Sequence, residues 1–230
     1  MKTIGLIGGM SWESSAEYYR LINRGMKERL GHHNNAKSLM VTVNFEEIQA
    51  LQSEGRWEEL GLQMADAARQ LEAGGADFIV LCTNTMHKVW PAIESAVHVP
   101  LLHIVDTTAQ AIRQAGLKKV GLLATRYTME LDFYRQRMHS LFGIEAMIPN
   151  EADRATVHAI IYDELCHGKI VEASRREYQR IIETMKAQGA QGVILGCTEI
   201  TLLIQAGDAC LPVFDATRLH AHAAIENALL

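Results

Sequence analysis

The chain has 230 residues, 48% of them hydrophobic and 21% charged, with a formal net charge of -5. This is the composition of a folded globular protein, long enough for one large domain or two small ones, and it excludes a disordered chain. The acidic balance gives no basic field for nucleic acid, no stretch is apolar enough to span a membrane, and the opening Met1-Lys2-Thr3 lacks signal-peptide layout, so the expected location is cytoplasmic.

In chain order, Ile4-Gly5-Leu6-Ile7-Gly8-Gly9 predicts a strand entering a glycine turn, and Ser14 to Leu30 has helical spacing. Leu39 to Phe45 is strand-like, Leu60 to Ala73 helical, and Phe78 to Leu81 a buried strand. After Val99-Pro100-Leu101-Leu102 comes a helix from Thr107 to Ala115. A second strand-to-turn start follows at Val120-Gly121-Leu122-Leu123-Ala124-Thr125. Helices are expected over Arg154 to Leu165 and Ser174 to Gln188, a strand over Val193 to Leu195, and a closing strand at Val213-Phe214 with a helix after Thr217.

Two segments repeat without gaps: Gly75-Ala76-Asp77-Phe78-Ile79-Val80-Leu81-Cys82-Thr83 and Gly189-Ala190-Gln191-Gly192-Val193-Ile194-Leu195-Gly196-Cys197. The two strand-to-turn starts repeat at nearly the same spacing. Alternating strands and helices, duplicated, predict an α/β fold of two pseudo-symmetric Rossmann-like domains, each a parallel sheet flanked by helices, with the active site in the inter-domain cleft. Residues 1–98 plus 208–230 are expected to form the first domain and 99–207 the second, with the proline-led segments at Pro100 and Pro212 as the crossings.

The repeat register sets Thr83, not Cys82, opposite Cys197. Because side chains alternate along a strand, only one of Cys82 and Thr83 can face a site, and the register selects Thr83. Cys197 lies at a strand end before a predicted helix, where amide dipoles favour a thiolate able to act as a nucleophile or base, with a buried structural thiol as the bland alternative. For Cys166 and Cys210 a core position is expected. Gly5-x-x-Gly8-Gly9 fails the dinucleotide-binding spacing, which argues against a nicotinamide cofactor, and the amides of Gly9, Met10 and Ser11 are either a carboxylate holder or part of a tight turn. Thr83-Asn84-Thr85 and Cys197-Thr198-Glu199 are clusters of small donors suited to clamping a zwitterion, with helix capping as the bland alternative. His87 could orient a site group or be a satisfied helix histidine. The ten histidines show no metal-binding spacing, so no metal is expected.

A thiol base among carboxylate- and ammonium-holding donors suits proton abstraction beside a carboxylate. At Gly8-Gly9-Met10-Ser11, Asn84-Thr85-Met86-His87 and Gly196-Cys197-Thr198-Glu199 the chain resembles the aspartate/glutamate racemase family over essentially its full length. The resemblance implies cofactor-independent racemisation of a small amino-acid substrate, a site between two domains, and a homodimer. It also implies that Cys197 takes the proton from the L-enantiomer. Family members carry a second cysteine where this chain has Thr83, whose hydroxyl is no comparable base, so activity biased toward L-substrates is expected, with catalysis assigned to Cys197 and Thr83.

Substrate contacts are expected from Met10, Ser11, Gln52, Asn84, Thr85, Thr125, Lys169, Thr198 and Glu199, with Lys169 or Arg126 as the cation for a side-chain carboxylate. The neutral amide of Gln52, where relatives carry a basic contact, leaves neutral amino acids such as homoserine open. A one-cysteine decarboxylase of substituted malonates and a non-catalytic amino-acid-binding protein are the rival readings.

Overall fold

The structure is a computed structural model that describes residues 1–230. Its elements are β1 (Ile4–Gly8), α1 (Trp12–Leu30), β2 (Ser38–Thr42), α2 (Phe45–Ser53), α3 (Trp57–Ala73), β3 (Phe78–Leu81), a 3-10 turn (Thr85–Val89), α4 (Trp90–Glu94), β4 (Leu101–Leu102) and α5 (Ile104–Gln114). There follow β5 (Lys119–Leu123), α6 (Arg126–Glu130), α7 (Asp132–Phe142), β6 (Glu145–Met147) and α8 (Glu151–Ala159), which runs into a π turn (Ile160–Glu164) and a 3-10 turn (Leu165–His167). The chain ends with α9 (Glu172–Ala187), β7 (Val193–Leu195), α10 (Ile200–Leu203), a 3-10 turn (Ala206–Asp208), β8 (Val213–Asp215) and α11 (Ala216–Leu229).

Two compact units emerge, Met1–Ile104 with His220–Leu230, and Val105–Leu219. Each holds one four-stranded sheet, ordered β2-β1-β3-β4 in the first and β6-β5-β7-β8 in the second, and every pairing is parallel. The same strand order in both units is the duplication seen in the sequence. The proline-led segments close the sheet of their own unit, β4 against β3 and β8 against β7, and the chain changes unit just beyond them.

In the first unit the sheet is buried on both faces, which is why its central strands are unbroken apolar runs. Ile4 and Leu6 of β1 and Phe78 and Val80 of β3 pack with Tyr18, Ile22 and Met26 of α1 and Ala221, Ala224 and Ile225 of α11. Ile7, Ile79 and Leu81 point the other way, into a cluster with Ile48 of α2 and Leu60, Met64 and Leu71 of α3. Cys82 continues the first set, fully buried among the α1 and α11 side chains.

Several expectations shift. The segment expected as strand from Leu39 to Phe45 ends at Thr42, because the Asn44 side chain accepts a hydrogen bond from the Glu46 amide and caps α2. The helical stretch from Arg154 to Leu165 is α-helical only to Ala159 before widening into the π turn. Cys210 is exposed and Cys166 partly so, against a core position for either; Cys210 lies in the loop before β8, its carbonyl facing the Lys186 ammonium at 3.4 Å.

Gly9 fixes the geometry where β1 turns into α1. Its φ is +89°, and a Cβ there would stand 2.1 Å from the carbonyl oxygen of Val43. Only glycine satisfies both the left-handed backbone and the close approach. Gly9→Ala is therefore expected to lower stability by about 2 kcal/mol or more, read as a fall in the denaturant midpoint.

Candidate active site

The parallel strands of each sheet deliver their carboxyl ends to one edge, the usual ligand edge of an open α/β sheet. In the first unit that edge carries Met10 and Ser11 after β1 and Thr83, Asn84 and Thr85 after β3, since Ile7 pairs with Leu81 and the Cys82 amide donates to the Ile7 carbonyl at 2.9 Å. Ser11 caps α1 by accepting from the Ser14 amide at 3.3 Å. The Gly9 amide, one of those expected to hold a carboxylate, already donates to Ser15 Oγ at 2.8 Å, and that hydroxyl donates to the Ser11 carbonyl at 2.9 Å. Ser15 was not singled out in the sequence, where nothing separates it from an ordinary helix serine. The Met10 side chain packs into the core on the α2 and α3 side.

Thr83, unlike the buried Cys82, is partly exposed. Its carbonyl accepts from His87 Nδ1 at 2.8 Å, and the Ile104 amide donates to His87 Nε2 at 3.2 Å, so the imidazole is neutral with its proton on Nδ1. Asn84 is 6% exposed and its Oδ1 has no hydrogen-bond partner. A buried carbonyl oxygen left open in this way is costly unless a donor arrives. Thr85 is buried at the start of the 3-10 turn. Gln52 is buried in α2, with its amide nitrogen 3.2 Å from the Met86 sulfur.

In the second unit Gly121, Leu122 and Leu123 of β5 pair with Val193, Ile194 and Leu195 of β7. That register brings Thr125 and the Cys197-Thr198-Glu199 cluster to adjacent strand ends. Gly196 allows the approach, since a Cβ on it would stand 3.0 Å from that of Ala124. Thr125 caps α6, accepting from the Thr128 amide at 3.4 Å. The Cys197 thiol donates to Glu199 Oε2 at 2.9 Å, and the Thr198 hydroxyl donates to the same oxygen at 2.7 Å.

The expectation of a thiolate favoured by amide dipoles is overturned here. Part of Cys197 reaches the surface, yet the packing around it makes burial the first cause of a thiol pKa well above its usual range. The Glu199 charge and hydrogen bond reinforce the shift, which the Glu199 amide opposes. α10 is a single turn and does not outweigh these effects. Cys197 therefore rests as a protonated thiol with a carboxylate against it. Burial also raises Cys82, with no neighbouring group to activate it.

Lys169 is exposed, one residue beyond the left-handed Gly168. A group of rings in the same unit forms no sequence motif: Tyr162 lies 4.6 Å from His158, and Tyr127 lies 6.2 Å from His158, between ring centroids. The Tyr162 hydroxyl is pushed up by burial and then by Cys197, Tyr127, Cys166 and Glu199, so it shares their surroundings. The π turn that aims Tyr162 leaves no periodic signal in the sequence.

A sequence profile of the Asp/Glu/Hydantoin racemase family matches residues 7–224. The fold matches a Yersinia pestis protein provisionally described as an Asp/Glu racemase at 53% identity and TM-score 0.94, covering 100% of both chains. It matches an aspartate racemase homologue from Pyrococcus horikoshii OT3 at 34% identity and TM-score 0.88, again over 100% of both chains. The broad-specificity amino-acid racemase RacX of Bacillus subtilis (strain 168) is 26% identical over 172 residues, 75% of this chain and 74% of that protein. The chain belongs to the Asp/Glu/Hydantoin racemase family, a family of isomerases.

Proposed function

We propose that the protein racemises aspartate and glutamate without a cofactor, by proton removal and return at the α-carbon, with Cys197 as the principal base and a bias toward the L-enantiomer. The observation that carries the reading is the Cys197 thiol donating to Glu199 at the carboxyl end of β7. When substrate binds, the thiol proton passes to Glu199 and the thiolate takes the α-proton of the L-enantiomer. The electron pair left on the α-carbon delocalises into the carboxylate as an enediolate, which preorganised hydroxyls and amides hold. Return of a proton to the other face completes the inversion. Thr83 serves that face by relaying a proton through water or by shaping it.

Substrate contacts are assigned to Met10 and Ser11 through the β1 turn, to Gln52, Thr85, Thr125, Lys169, Thr198 and Glu199, and to Asn84. The open Oδ1 of Asn84 suits the substrate ammonium. The reading also takes a cytoplasmic homodimer. Racemisation of neutral amino acids is the second reading, favoured by the neutral buried Gln52.

The test is deuterium incorporation at the α-carbon in heavy water across a panel of amino acids. Exchange with aspartate or glutamate supports the reading. Ligand-induced thermal stabilisation without exchange contradicts it in favour of a binding protein, and carbon dioxide release from a substituted malonate contradicts it in favour of a decarboxylase.

A further inference from the structure

Past the last paired rung of β5 and β7, two more residues along each chain set Thr125 beside Cys197, and Arg126 follows as the first residue of α6. Neighbouring strands lie about 4.8 Å apart, so the backbone of Arg126 starts within one side chain's length of the thiol's strand end. α6 is held to α8 at both ends. The Arg126 amide donates to His158 Nδ1 at 3.3 Å, and Arg154 pairs with Glu130 at 2.9 Å.

The Arg126 guanidinium itself is exposed, lies 5.5 Å from the centroid of the Tyr127 ring, and makes no ion pair. Glu130, the only carboxylate of α6, is already engaged by Arg154. Next to it, His158 stays neutral, its pKa lowered by burial and then by Arg126, against the opposing charges of Asp163 and Glu130. The row Tyr127, His158 and Tyr162 thus forms an uncharged aromatic wall with one unpaired cation at its end.

We infer that Arg126 is the specificity-determining residue for a substrate bearing a second carboxylate, and that it pairs with that carboxylate while Cys197 addresses the α-carbon. The inference rests on the racemase reading above. A planar guanidinium matches a carboxylate with two parallel hydrogen bonds, and the Tyr127 ring presents it at little entropic cost. Gln52 cannot supply this charge. Lys169, the other unpaired cation considered, is carried on an exposed turn that no ring or ion pair orients.

The experiment measures α-deuterium exchange of L-aspartate, L-glutamate and L-homoserine in the full-length protein, in wild type and in the R126A, R126K and K169A variants. R126A is expected to raise KM for the two dicarboxylates on the order of 30-fold with little change in kcat, the loss of a charged hydrogen-bonded pair. The kcat/KM ratio of aspartate to homoserine falls with it, and R126K recovers part. Unchanged KM for aspartate in R126A, or an equal rise for homoserine, overturns the assignment, as does K169A alone reproducing the expected effect. Absence of exchange from every amino acid in wild type defeats the racemase reading itself, a result distinct from these.

Discussion

Cys197→Ala is expected to lose α-proton exchange from L-aspartate and L-glutamate by on the order of 1,000-fold or more, the usual size of a missing general base. Cys82→Ala is expected to retain it. The contrast follows from where the strands place the sulfurs. Cys82 is fully buried among Phe78, Val80 and the α1 and α11 side chains, whereas Cys197 stands past the end of β7 with a carboxylate against it. Thr83→Cys, by putting a thiol at the position that matches Cys197 in the repeat, is expected to add exchange from the D-enantiomers. The three variants are compared by the rate of deuterium incorporation from each enantiomer. Retained exchange in Cys197→Ala would remove the base from the proposed reaction, and loss in Cys82→Ala with wild-type stability would put Cys82, not Thr83, at the reacting face.

Glu199→Gln is expected to lower kcat by about 100-fold while making the thiol easier to alkylate. The two changes run in opposite directions, which makes the pair informative. The Glu199 charge and its hydrogen bond both raise the Cys197 pKa, so removing the charge lets that pKa fall, although burial, the largest cause, remains. The midpoint of iodoacetamide alkylation against pH should therefore move to lower pH. Catalysis nevertheless weakens, because the amide cannot receive the proton that the thiol must give up. If Glu199→Gln alkylated faster and also racemised faster, Glu199 would be a restraint on the thiol rather than its proton acceptor.

The parallel α/β architecture was legible because β1, β3 and β7 are buried on both faces and therefore appear as short apolar runs between helical periods. The duplication was legible for the same reason: the repeated run is the central strand beside the site in each unit. The edge strand β6, Glu145-Ala146-Met147, left no signal and escaped notice, since three residues with a single buried one are too short to show a period. The short helices α6 and α7 escaped too, because Leu131 interrupts their period.

At the site, the repeat register set Thr83 rather than Cys82 opposite Cys197, which agrees with the burial of Cys82 among the α1 and α11 side chains, and the strand-end position of Cys197 followed from chain order. The protonation of Cys197 did not. It depends on burial and on the Glu199 side chain folding back onto residue 197, neither of which a linear motif encodes. The same holds for Ser15, whose hydroxyl occupies the Gly9 amide, and for the Tyr127, His158 and Tyr162 rings, which three separate elements bring together.

The central claim is that one cysteine on a duplicated scaffold makes the enzyme act chiefly on L-substrates. It is tested most directly by comparing α-deuterium incorporation from L-aspartate and from D-aspartate in the wild-type protein in heavy water. The account predicts clear incorporation from the L-enantiomer and weak or absent incorporation from the D-enantiomer. Equal rates from both would contradict it.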